Sequence, residues 1–352
     1  MINNKKASSI LKNSELSIFC YQLALILKSG IPLVEGMKLI EDEVTDTKLK
    51  LAVVEMYDDI KDGLQLNIAL SNQTIFPNFL LNMVKIGETS GKLDEVMDYL
   101  YLYYEKADKL NRKLKNALTY PLILAGLMTG VILLLLVKIL PMFNDILNSV
   151  GGEMPGITRV MMNISQYVKD YLLLILLVIL AFIVFIFFFS RSIRGKLYLD
   201  KFKFNSKLTG NLFQKIYVTK FSMSMSLILK SGSSIEEALG MVQDLAENTY
   251  VSAKILKCRQ ALKNGEDEAL AISNMGIFPK LFIRMMNLGY KTGELDDMMS
   301  KLSTIYENEV DNALQKLTSA IEPALVIVLS LIVGIILLTV MLPLISIMSS
   351  IG

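Results

Sequence analysis

A single shift of 202 positions lays the first half of this 352-residue chain over the second. LILKSG at 25–30 recurs at 227–232, SNQTIFP at 71–77 meets SNMGIFP at 273–279, and GETSGKLDEVM at 87–97 meets GYKTGELDDMM at 289–299. Phe19 meets Phe221, Tyr104-Glu105 meets Tyr306-Glu307, Pro121 meets Pro323, and Leu140-Pro141 meets Leu342-Pro343, all without a gap. An offset held over that distance marks two tandem copies of one structural unit, so the fold must build the same unit twice.

Three stretches are apolar enough to cross about 30 Å of hydrocarbon: PLILAGLMTGVILLLLVKILPMF at 121–143, YLLLILLVILAFIVFIFFF at 171–189, and PALVIVLSLIVGIILLTVMLPL at 323–344. A composition that is 53% hydrophobic fits a chain partly in lipid. Lys138 costs the first span up to ~3.5 kcal/mol against roughly −3 to −7 kcal/mol from its aliphatic residues, and can snorkel toward the surface. The first and third spans belong to the repeat, and the second has no counterpart. It reads as the return stroke that lets both copies fold on one side of the bilayer.

Basic residues set the orientation. Lys106, Lys109, Arg112, Lys113 and Lys115 precede the first span, and Arg191, Arg194, Lys196, Lys201, Lys203 and Lys207 follow the second, whereas the loop between them has only Arg159 and Lys169. The expected topology is N-terminus in and C-terminus out. The polar N-terminus lacks a cleavage site and does not read as a secretory signal. The expected order is a tail (1–15), a cytosolic helical bundle (16–116), a first span (117–143), a short extracytoplasmic loop (144–170), a second span (171–190), a basic cytosolic linker (191–217), a second bundle (218–318), a third span (319–346) and an outer tail (347–352). The fold class is an all-α membrane protein with two tandem cytosolic bundles.

Within each copy apolar residues recur at helical spacing, as at Phe19, Leu23, Ile26 and Leu27. Gly30 suits a helix stop, and Pro32, Pro77 and Pro279 suit helix starts. A long last helix is expected from about Leu93 into the first span. In the loop, Gly151-Gly152 and Pro155-Gly156 mark turns, and Ile157, Val160, Met161, Ile164 and Val168 stripe a short helix that can lie along the outer surface or meet a partner.

The chemistry is sparse. The chain has no histidine, which removes the commonest acid-base group and metal ligand. A formal charge of +2 gives no field for nucleic acid. Cys20 and Cys258 read as reduced core thiols. Glu41, Asp42, Glu43, Asp58 and Asp59 lack a ligand-spaced loop and read as solvated faces, so no metal or cofactor is expected. GETSGK resembles a phosphate loop, but only three residues separate its glycines, Leu93 follows the lysine, and Glu294 replaces Lys92 in the second copy. It reads instead as a corner between helices, in which Gly87 and Gly289 stop one helix, Gly91 and Gly293 open the next, and Asp94 and Asp296 sit in its first turn.

The duplicated corner is also the candidate partner surface, through Gly87, Glu88, Gly91, Lys92 and Asp94 in the first copy and Gly289, Lys291, Gly293, Glu294 and Asp296 in the second. Tyr120-Pro121 and Glu322-Pro323 mark the two span entrances, where an ionisable group stays hydrated.

These corners, the ALTYP stretch at 117–121, the EMPGITR loop at 153–159 and the terminal PALVIVLSLIVGIILLTVMLP resemble the type II secretion F / type IV pilus inner-membrane platform family, over nearly the whole chain. The resemblance implies a non-enzymatic polytopic platform. Its implied partners are a cytosolic hexameric assembly ATPase, pilin or pseudopilin subunits, other inner-membrane pilus or secretion components, and membrane lipid. Pairing with a hexameric motor implies a homo-oligomer, a dimer or trimer. The chain departs from the pattern in a short N-terminal extension and in Tyr290-Lys291 at the second corner, which suggests different partners for the two corners. A transporter built from parallel repeats and a membrane signalling protein stand as alternatives; the first needs broken helices and polar groups near midplane, where the spans offer only Gly126, Thr129, Gly130, Ser330, Gly334 and Thr339, and the second needs an outer ligand domain, for which the outside loop is too short.

Overall fold

Every short helix of the first copy has a counterpart in the second at the same offset. The computed structural model describes residues 10–142, 145, 156–206, 209–246 and 248–351. The first copy comprises α1 (Asn13–Lys28), α2 (Leu33–Glu43), α3 (Thr47–Lys61), α4 (Leu66–Ser71), α5 (Asn78–Ser90) and α6 (Leu93–Leu134). Then come α7 (Gly156–Arg191) and α8 (Ile193–Asn205). The second copy comprises α9 (Gly210–Lys230), α10 (Ile235–Leu245), α11 (Thr249–Lys263), α12 (Glu268–Ser273), α13 (Lys280–Thr292) and α14 (Leu295–Ile351). No strand occurs among the described residues. The turns expected at Gly151-Gly152 and Pro155, most of the N-terminal tail and Gly352 lie outside the described residues.

Local chemistry explains the shared boundaries. Pro32, Pro77 and Pro279 occupy N-cap positions just before α2, α5 and α13. Asp46 caps α3 by accepting from the Lys48 and Leu49 amides, each at 2.9 Å, and its counterpart Asn248 caps α11 by accepting from Val251 at 3.1 Å. Gly30, Gly63 and Gly91 hold φ of +69°, +91° and +69°, and Gly232, Gly265 and Gly293 hold +86°, +85° and +74°. Three left-handed stops thus recur at equivalent places, where a side chain would be strained.

The chain divides into two compact units, one of residues up to Arg112 with Leu197–Asp311, the other Lys113–Lys196 with Asn312–Gly352. The first holds both bundles. Phe19 packs on Phe76 with ring centroids 5.2 Å apart, and the equivalent Phe221 packs on Phe278 at 4.8 Å. Phe19 and Phe221 are fully buried, so truncating either to alanine would cost about 3–5 kcal/mol. The stretch read as a basic linker is largely helical and is fastened to the second bundle: buried Asp200 of α8 accepts from the Thr249 amide at 2.9 Å and its hydroxyl at 3.0 Å.

The second unit carries the apolar spans. Among the described residues, three helices are long and apolar enough to cross a membrane. α6 gives way to one π-helical turn, Leu135–Ile139, where the exposed Lys138 sits. Ser165 of α7 donates to the Leu136 carbonyl of that turn, and buried Leu140, Met162 and Ile336 bring the three span helices together. One expectation is corrected here: α7 is continuous from Gly156 to Arg191, so the stripe at 157–168 forms no separate surface helix. No glycine or proline lies between Ile157 and Phe189, and polar residues such as Ser165 and Lys169 do not interrupt a helical hydrogen-bond ladder.

Candidate functional site

Each corner closes on a left-handed glycine with the long bond of a Schellman turn, and the first also makes the short one. At the first, the Lys92 amide donates to the Gly87 carbonyl at 2.9 Å and the Gly91 amide to the Glu88 carbonyl at 3.4 Å, with Gly91 left-handed. At the second, the Glu294 amide donates to the Gly289 carbonyl at 2.9 Å, with Gly293 left-handed.

The glycine roles read from the sequence are therefore corrected. Gly87 and Gly289 do not stop α5 and α13, which continue to Ser90 and Thr292; Gly91 and Gly293 are the stops. Gly87 and Gly289 lie buried where the next helix crosses closest. A Cβ on Gly87 would fall 3.1 Å from Leu93 Cα and Val96 Cβ, and one on Gly289 would fall 2.7 Å from Met298 Cγ and 3.0 Å from Leu295 Cα. Close backbone approach, not backbone conformation, demands the earlier glycine.

Glu88 has an internal task. Its carboxylate accepts from the Leu66 amide at 2.8 Å and the Asn67 amide at 3.1 Å, capping α4, whose own N-cap Gln65 makes no side-chain cap. In the second copy Tyr290 replaces Glu88, and Asp267, in the position of Gln65, caps α12 by accepting from Leu270 at 3.0 Å. The short helix α4 or α12 thus keeps an acidic cap in each copy, drawn from different places. The departure at Tyr290 thus has an origin inside the fold, and it leaves Tyr290 and Lys291 exposed on the second corner.

Neighbouring charges tie each corner down. Lys28 bonds Asp98 at 2.7 Å, and the equivalent Lys230 meets Asp297 at 3.3 Å. The Asp98 hydrogen bond holds the Lys28 ammonium above its ordinary range, with Asp94 adding to the effect. Lys92 forms an exposed ion pair with Glu95 at 3.9 Å. Asp94 and Asp296 stand in the first turns of α6 and α14, where the helix dipole favours an anion. Among the described residues no hydrogen bond or ion pair joins one corner to the other.

The span entrances, by contrast, meet. The Tyr120 hydroxyl donates to Glu322 Oε1 at 3.4 Å, linking two positions one repeat apart. Pro121 lies inside α6 and Pro323 inside α14, each within an unbroken helix.

The model of the type II secretion system protein F family matches residues 19–141 and 221–343, two copies at the offset of the repeat. The chain belongs to the type II secretion system protein F family. Among its relatives, the type IV pilus assembly protein PilC of Thermus thermophilus is 33% identical over 339 residues, 96% of this chain and 84% of the relative. PilC of Pseudomonas aeruginosa is 26% identical over 348 residues, 98% of this chain and 93% of the relative. The type II secretion system protein F of Xanthomonas campestris is 26% identical over 341 residues, 97% of this chain and 84% of the relative. Membership in the protein F family, with three apolar helices, makes this an inner-membrane multi-pass protein of pilus or secretion machinery.

Proposed function

We propose that this protein F family member is the non-enzymatic inner-membrane platform of a type IV pilus or type II secretion-like machine, coupling a cytosolic hexameric ATPase to the incorporation of pilin or pseudopilin subunits. Both bundles face the cytosol, with the N-terminus in and the C-terminus out, in keeping with the basic residues that flank the first two spans. The corners are the partner surface, and one of them meets the motor. Hydrolysis takes place in the partner, and this chain transmits displacement.

The observation that supports the coupling is the continuity of α6 and α14. Each begins just after its corner glycine and runs on into an apolar span, over Leu93–Leu134, followed by the π-helical turn, and over Leu295–Ile351. A push on the corner is passed along a hydrogen-bonded rod. A Gly-rich insertion beside Asn111 breaks that rod, each glycine costing about 1 kcal/mol of helix. Filament assembly in that variant is expected to fall to the level of a strain lacking the protein, with the amount in the membrane unchanged. Normal assembly would refute the coupling.

A further inference from the structure

The two copies have the same helices yet bury different faces. Within the chain, α5 of the first copy packs on α10 of the second. Tyr99, Leu102, Tyr103 and Lys106 of α6 line one wall of a cleft whose other wall includes Met223 and Leu227 of α9. The internal joint therefore sets the α5–α6 side of one copy against the α9–α10 side of the other.

Among the described residues, the matching sides at the two free ends are uncovered. Tyr21 and Leu25 of α1 are 44% and 46% exposed, whereas their counterparts Met223 and Leu227 in the joint are 8% and 7% exposed. Ile18 extends the α1 stripe, and Leu39 of α2 is exposed where its counterpart Met241 packs against the core. At the other end Leu288 of α13 is 53% exposed, whereas its counterpart Ile86 of α5 packs against the core. Leu281, Arg284, Leu288 and Lys291 recur along one face of α13.

Charge pairs the two free ends. α2 carries Glu35, Glu41, Asp42 and Glu43 against one basic residue, Lys38, whereas α13 carries Lys280, Arg284 and Lys291 and no acidic residue. An acidic, leucine-bearing face at one end thus matches a basic, leucine-bearing face at the other.

We propose that a second copy of this chain seats the Leu281 and Leu288 face of its α13 on the face formed by Ile18, Tyr21 and Leu25 of α1 and Leu39 of α2. The contact repeats between chains the joint that links the two copies within one chain. It is head to tail, so a few chains close into a ring if the rotation permits. This deepens the homo-oligomer expected of a platform, but its test reads contact between chains and does not depend on filament assembly.

The test is cysteine crosslinking of full-length protein in its own membrane, where native Cys20 and Cys258 are buried. Two differently tagged chains are co-expressed, one carrying Leu25→Cys or Leu39→Cys, the other Leu281→Cys or Leu288→Cys. Mild oxidation is expected to give a disulfide species bearing both tags in at least one of the four pairings. Absence of the mixed species in all four would overturn the proposal, as would disulfides formed only between two Leu39→Cys chains, the mark of a two-fold contact. Glu35→Lys with Asp42→Lys is expected to lower the yield about fivefold, and Lys280→Glu with Arg284→Glu in the other chain to restore it. A yield indifferent to these reversals would also overturn it.

Discussion

Glu88→Ala tests the reading that the corner carboxylate is a cap borrowed from another helix. The carboxylate serves the two leading amides of α4, a helix of six residues with no cap of its own. Leu66 is buried and Asn67 half-buried, so water replaces the lost acceptor poorly. Losing a cap costs about 1 kcal/mol and a hydrogen bond to a charged group about 1.5–3 kcal/mol, which places the penalty near ~2 kcal/mol. Alanine keeps α5 a good helix former, so the penalty falls on α4. Because a short peripheral helix opens locally, hydrogen exchange is the assay, with amides at 66–71 expected to exchange roughly 30-fold faster in the variant. Gln65→Asp installs the cap that Asp267 supplies in the second copy, and should bring exchange back to within about threefold of the parent. Exchange across α4 that ignores Glu88→Ala, or a double variant left as fast as the single one, would refute the borrowed cap.

Gly289→Ala drives a Cβ to 2.7 Å from Met298 Cγ and 3.0 Å from the Leu295 backbone, so we expect overpacking of about 1–3 kcal/mol and a lower thermal midpoint in detergent. An unchanged midpoint would show that the helices can separate freely. Burial pushes the Cys258 thiol up to about 11, with Glu266 adding to it, and pushes Cys20 higher still, which keeps both protonated at neutral pH. Maleimide is therefore expected to label neither thiol in the folded protein and both after denaturation; rapid labelling of native protein would refute the buried assignment.

The repeat, the three spans and the helix stop at Gly30 are local or periodic properties, and the chain states them openly. Gly87 and Gly289 could not be separated from Gly91 and Gly293 by pattern, because a close helix crossing is a tertiary requirement while a left-handed turn is a local one. The cap from Glu88 to α4 spans more than 20 residues and becomes visible only once α5 and α4 are packed. Comparing the two copies offered a clue, since Glu88 and Gln65 change together to Tyr290 and Asp267. The continuity of α7 was hidden by its polar stripe, which reads as amphipathic although nothing in it breaks a helix. The uncovered faces of α1 and α13 were invisible for a different reason: their residues are as apolar as those of the covered faces, and only packing separates them.

The hydrogen bond between Tyr120 and Glu322 bears on what duplication makes possible. A half-length protein that paired with itself would have to present one residue type twice at that spot, phenol to phenol or carboxylate to carboxylate. Fusion into one polypeptide frees each site to specialise, one as donor and the other as acceptor. The two halves are thereby no longer interchangeable, and a protein made by joining either half to itself would lose this match.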